Sequence, residues 1–260
     1  MFGTADLIEE QPTLTKRERK LLRRKGILPP PEQKHGRYSL GNVNLKPISP
    51  LTDNQRKTFE AYRAGKNLML HGMAGTGKTF ISMYLALNDV INKESYDNVT
   101  IVRSVVPTRD MGFLPGSQNE KSKAYEMPYF PIATDLFGRG DAYDLLKNKK
   151  LINFITTSFI RGTTINDSVI IVDEVENMTA HELDSVITRV GKNCKIIFCG
   201  DYRQTDFIKE SDRNGLLGFM RVLEEMESMF ASIEFGQDDI VRSGLVKQYI
   251  IAKSRVGLSV

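Results

Sequence analysis

Eight consecutive residues, Gly72-Met73-Ala74-Gly75-Thr76-Gly77-Lys78-Thr79, have the types and spacing of a phosphate cradle. They match G-x-x-x-x-G-K-[ST] in full, between the strand-like Leu68-Met69-Leu70-His71 and an apolar helical segment. Glycines in such a loop let successive backbone amides turn inward around an anion, and the following helix adds its N-terminal dipole. The Lys78 ammonium would reach the β- and γ-phosphates, and the Thr79 hydroxyl would ligate Mg²⁺. Gly72 to Thr79 therefore read as a binding site for ATP with Mg²⁺. A second constellation follows: the β-branched run Val169-Ile170-Ile171-Val172 ends in Asp173-Glu174. Asp173 would complete the Mg²⁺ shell, and Glu174 would polarise the attacking water as general base. The plainer reading of that carboxylate pair is a helix cap. A third run, Lys195 to Cys199, leads into Gly200-Asp201-Tyr202-Arg203-Gln204, where Asp201 and Gln204 could sense the γ-phosphate and the water. An ordinary turn would look the same. Upstream, Gln55 could read an adenine edge with its amide, although Thr52-x-x-Gln55 also has the form of a capping box.

These groups meet only if a scaffold carries them to one edge. Short β-rich runs at Asn67–His71, Val99–Arg103, Leu151–Thr156, Val169–Asp173 and Lys195–Cys199 alternate with helical segments. Those run to about Ile91, near 131–147 and near 179–190. That alternation predicts an α/β three-layer sandwich, a mostly parallel sheet between helices. Parallel strands put Asp173 and Asp201 at their carboxyl ends, where such sheets bind ligands. Residues 107–130 form a long connection rich in Gly and Pro, of the length usually reserved for function.

The net charge of +4 is uneven. Residues 1–50 carry ten Lys/Arg against five Asp/Glu, whereas 51–260 carry 26 against 27. The chain thus divides into a basic arm and linker, 1–50, and a core, 51–260. Thr15-Lys16-Arg17-Glu18 opens a short basic helix before Gly26, suited to nucleic acid or equally to a solvated tail. No run is long and apolar enough to cross a membrane, and Met1 to Asp6 do not open a secretory signal. Cys194 and Cys199 read as free thiols of a reducing compartment, so the expected location is the cytoplasm of a bacterium or of a phage-infected host.

The ordered set of motifs resembles the PhoH-like ATPase family. It comprises the phosphate loop, Gly112-Phe113-Leu114-Pro115-Gly116, Ile160-Arg161-Gly162-Thr163-Thr164, Asp173-Glu174-Val175-Glu176-Asn177, Thr188-Arg189-Val190-Gly191, Gly200-Asp201 with Gln204, and Asp239-Ile240-Val241-Arg242. The resemblance covers roughly residues 50–255 and is closest to compact phage-type members. It implies a RecA-like P-loop NTPase core of the superfamily 1 helicase kind, with a strand between the two that carry the phosphate loop and Asp173. Glu176 stands where the family has Gln, and Ser243 where it has His. One core per chain implies an arginine finger from elsewhere on the chain or from a neighbour, with Arg161, Arg189 and Arg242 as candidates. The resemblance further implies a homo-oligomeric ring, a hexamer, with ATP between subunits. The expected activity is a nucleic-acid-dependent ATPase, a translocase or helicase on RNA or single-stranded DNA. Lys78, Glu174, Gln204 and Arg242 would be its catalytic residues. Arg103, Arg109, Lys121 and Lys123, with Tyr125, Tyr129 and Phe130 for stacking, would touch the strand. The alternative is an ATP-driven protein remodeller or regulatory switch, which suits a core of net charge −1.

Overall fold

A computed structural model describes residues 44–104, 123–201 and 210–256. The basic arm up to residue 43, Arg109, the Gly112–Gly116 motif, Lys121 and Gln204 lie outside the described residues. Strands β1 (Asn67–Gly72), β2 (Asn98–Arg103), β3 (Ile152–Thr156), β4 (Ser168–Asp173), β5 (Lys195–Gly200) and β6 (Phe230–Phe235) form one sheet. Its order is β3-β2-β4-β5-β1-β6, and each neighbouring pair is parallel. Every residue of β4 and β5 is buried, which is why both read as unbroken apolar runs rather than as alternating ones.

Alternate side chains serve opposite faces. Met69, Ile170, Val172, Ile196 and Phe198 pack with Leu183 and Val186 of α5 (Ala180–Ile187) and Leu216 and Phe219 of α6 (Glu210–Glu225). Cys199 belongs to the other face, where its sulfur lies 3.1 Å from Ser82 Oγ on α2 (Lys78–Ile91). Helix α1 (Asp53–Arg63) stacks beside α2 through Phe59 and Tyr84, ring centroids 5.8 Å apart. Helices thus cover both faces of the sheet.

The helical stretch expected over 131–147 is two helices, α3 (Tyr129–Phe137) and α4 (Ala142–Asn148). Gly138, at φ 71°, closes the first with its N–H on Thr134 O. A last helix, α7, spans Gly244–Arg255. Strand β6 is an addition to the sequence reading. It borders β1 in register from Asn67↔Phe230 to Gly72↔Phe235. Strand β5 lies between β1 and β4, so the phosphate loop and Asp173 flank one crevice at the carboxyl ends. Among the described residues, no helix is long and apolar enough to cross a membrane, and Cys194 and Cys199 are free thiols.

Candidate active site

The phosphate loop leaves β1 through Gly72, at φ 113°, and winds over Gly75 at 73° and Gly77 at 85°. All three angles lie in the left-handed region, where a side chain is strained. At Gly72 the need is steric as well, since a Cβ there would run into the backbone of Phe235 on β6. Gly77 is the N-cap of α2. Thr76 donates its hydroxyl to Met73 O at 2.9 Å, tying the turn across itself. Lys78 Nζ donates to Gly72 O at 2.7 Å and to Met73 O at 2.8 Å. Burial lowers the Lys78 pKa, and Asp201 leads the charges that oppose this.

The loop meets β4 at Thr79, whose hydroxyl donates to Asp173 Oδ1 at 2.8 Å. Asp173 Oδ2 accepts from the buried hydroxyl of Tyr129 on α3 at 3.0 Å. Burial raises the Asp173 pKa, Glu174 adds to the rise, and Thr79, Arg103 and Tyr129 resist it. Glu174 takes φ 53°, a left-handed angle uncommon outside glycine, which turns the chain off the strand into the 3-10 turn Val175–Asn177. Its Oε1 pairs with Arg103 Nη2 at 2.8 Å, and its Oε2 accepts from Asn177 Nδ2 at 3.1 Å. Asp201 is buried at the end of β5, and its N–H donates to Glu176 Oε2 at 3.1 Å.

A cavity of about 660 Å³ opens over these groups, within the range of small-ligand sites. Ala74 to Thr79, Asp173, Glu174, Asp201, Arg242 and Gln55 all line it. The Gln55 Nε2 donates to Thr76 O at 3.1 Å, and its Oε1 accepts from Leu51 N–H at 2.7 Å. Thr52 caps α1 by accepting Gln55 N–H, but the reciprocal half of the box is displaced by one residue, since Gln55 Oε1 takes the Leu51 N–H instead of that of Thr52. Both polar atoms of Gln55 thus have a protein partner at the cavity wall. Of the three arginines, only Arg242 lies at the cavity, its side chain over Gly75. Arg161 is exposed beyond the carboxyl end of β3, outside the cavity lining. Arg189 sits at the opposite, amino end of β4, where its carbonyl accepts from Ile165 N–H.

Two expectations for strand contact are corrected. Tyr125 and Tyr129 are buried, and Phe130 stacks on Tyr143 with centroids 4.4 Å apart, so these rings pack inward. Arg103 is likewise turned in, onto Glu174. Tyr129 and Arg103 are the site groups that motif reading missed. Their only sequence signal is position, at the end of a strand and at the start of a helix.

Glu176 supplies a test of the site's electrostatics. Burial, aided by Glu174 and Asp173, pushes its carboxyl from 4.5 up to about 8. The folded chain therefore holds a proton that the unfolded chain releases between those values, and stability contributed here falls as pH rises through that window. Glu176→Gln removes the effect. The variant is expected to melt several degrees above the parent at pH 7.5 and at the same temperature near pH 4.5, in thermal scans without Mg²⁺. Each kcal/mol moves the midpoint of a domain this size by about 2–4 °C.

The donor set fits a small hard cation. Thr79 Oγ1 and Asp173 Oδ1 are adjacent oxygens, and among the described residues no cluster of three or more His, Cys, Asp or Glu could form an all-protein cage. That suits Mg²⁺, which takes one or two protein oxygens and fills its shell with phosphate and water.

A family model described as PhoH-like protein matches residues 47–253. The PhoH-like protein of Mycobacterium leprae is 30% identical over 208 residues, 80% of this chain and 58% of the relative. Protein PhoH of Escherichia coli is 31% identical over 213 residues, 81% of this chain and 59% of the relative. The chain thus spans about three-fifths of the length of these curated relatives. Among solved structures, the large terminase of the thermophilic bacteriophage D6E aligns at TM-score 0.48 and 13% identity, covering 77% of this chain and 50% of that one.

Proposed function

The chain belongs to the PhoH-like protein family, and from that premise we propose that it is a P-loop ATPase whose hydrolysis acts on single-stranded nucleic acid. The observation that carries the ATPase reading is the 2.8 Å bond between Thr79 and Asp173. Two residues from different elements present adjacent oxygens beside Lys78, at the mouth of a loop built to face phosphates. Thr79 and Asp173 would hold Mg²⁺, which would supply positive charge to offset that developing on the phosphates. The chain's own groups do the rest. The loop amides and Lys78 bind the β- and γ-phosphates. Gln55, which lines the same cavity, would read the base. Glu174 takes the proton of the attacking water, and Arg242 faces the phosphates from within the same chain. Arg242 thus offers a cis alternative to a neighbour's arginine. A hexameric ring remains part of the proposal, with Arg161 the exposed candidate to act across a subunit boundary.

The nucleic-acid reading is supported by Phe159 and Arg161. Both are exposed just beyond β3, at the same sheet edge as the cavity, and an aromatic ring beside a cation suits a stacked strand. The test is the ATPase rate with and without Mg²⁺, and with and without single-stranded RNA or DNA, at low and high salt, beside a mass measurement with and without ATP. The expected result is Mg²⁺-dependent turnover that a single strand stimulates, with stimulation fading as salt rises. Turnover without stimulation or salt-sensitive binding would favour the protein-remodelling alternative. Absence of turnover would end the ATPase reading.

A further inference from the structure

Arg103 was expected to face a partner and is found facing inward. It ends β2 and is in register with Asp173 on β4 and Thr156 on β3, so it stands one strand away from the carboxylate pair. Its side chain is only 15% exposed, against 40% for Glu174. Nη2 lies 2.8 Å from Glu174 Oε1, while Nη1 donates to Tyr125 O at 3.4 Å and the guanidinium sits 6.0 Å from the centre of the Tyr125 ring. The arginine is therefore held from behind by the chain entering α3 and from the front by the carboxylate.

Glu174 needs such a hold. A half-exposed glutamate has several rotamers of comparable energy, and a general base must present its lone pair within hydrogen-bond reach of one water. Here each oxygen is tethered by a donor from a different element, Oε1 by Arg103 and Oε2 by Asn177. A carboxylate oxygen accepts at about two positions. One donor on each leaves the remaining positions for the water, with the plane of the group fixed.

We propose that Arg103 is the positioning residue of Glu174, fixing the carboxylate in the orientation from which it takes the proton of the attacking water. This rests on the ATPase reading above. Arg103 is not itself part of the cavity lining and meets it through Glu174, so its removal acts on turnover and leaves nucleotide binding in place.

The test is steady-state and single-turnover hydrolysis by the full chain carrying Arg103→Ala, Arg103→Lys, Glu174→Gln, and the Arg103→Ala/Glu174→Gln pair. Binding of a non-hydrolysable ATP analogue and thermal melting are measured on each. Arg103→Ala should lower kcat about 10- to 100-fold, the range of a misplaced catalytic group, with KM and analogue affinity within about threefold of the parent. Arg103→Lys keeps the charge on a side chain without the guanidinium fork and should recover part of the loss. The double variant should be no slower in single turnover than Glu174→Gln, since a positioned group that no longer acts gains nothing from its holder. Parental kcat in Arg103→Ala would overturn the proposal, as would a raised KM at unchanged kcat, or a double variant slower by the full product of the single effects. Should Arg103→Ala melt early, the Lys variant and the analogue-binding measurement decide between a lost fold and a lost orientation. If the parent itself does not hydrolyse ATP, the ATPase reading fails first, and the two failures are told apart by that one lane.

Discussion

Lys78→Ala is expected to lower ATP turnover by on the order of 10³-fold or more, the scale set by losing a fixed cation at a transferring phosphoryl group. The ammonium is placed for that role by its surroundings. It is partly buried, it donates to two carbonyls of its own loop, and Asp201 leads the charges that favour its protonated form. Alanine removes the charge and takes the ammonium donor away from Gly72 O and Met73 O. The loop is nevertheless held from elsewhere, by Thr76 on Met73 O and by Met73 N–H on Phe235 O of β6. The variant should therefore fold, with a melting temperature within a few degrees of the parent, and the loss should be in phosphate binding and turnover. The measurement is release of inorganic phosphate beside binding of a fluorescent ATP analogue. Near-parental turnover would remove the phosphate loop from the site.

The second large effect is expected at Glu174. Glu174→Gln keeps the size of the side chain and an oxygen for Arg103, but takes away the base. Turnover should fall about 10²- to 10⁴-fold, the contribution of a positioned general base, while ATP still binds with Mg²⁺ at close to parental affinity. The reason binding survives is geometric. Thr79 and Asp173 hold each other without Glu174, and Asp173 is fixed on its other oxygen by Tyr129. Isothermal titration with ATP and Mg²⁺ beside a single-turnover assay separates the two quantities. Lost binding would make Glu174 a structural residue whose task is to seat Arg103.

Much of this site was legible in the sequence because it is local. The phosphate loop announces itself by eight adjacent residues, and Asp173-Glu174 by closing a run of β-branched residues that a doubly covered parallel strand requires. The partners of those carboxylates were not legible. Arg103 reaches Glu174 because β2 lies beside β4, and strand order is a property of packing between segments far apart in the chain. Tyr129 illustrates the same limit from the other side. An aromatic in a long connection suggests a stacking surface, and only the packed structure shows the ring buried and its hydroxyl spent on Asp173. Strand β6 escaped for a different reason. Ala231-Ser232-Ile233-Glu234 lies at the sheet border, half open to water, so its apolar content is too thin to stand out from a loop. The break between α3 and α4 depended on one glycine whose positive φ no apolar pattern reports.

The stretch entering α3 touches both halves of the carboxylate pair. Tyr129 bonds Asp173, and the Tyr125 carbonyl holds the arginine that holds Glu174. Linkage gives this arrangement a quantitative consequence. With the proposed cation at Asp173, a molecule whose binding draws Tyr129 away from Asp173 and so changes the affinity for the cation would have its own affinity changed by the cation by the same factor. The cation and that molecule would then act as each other's effectors, each tightening or loosening the other's hold through five residues of shared backbone.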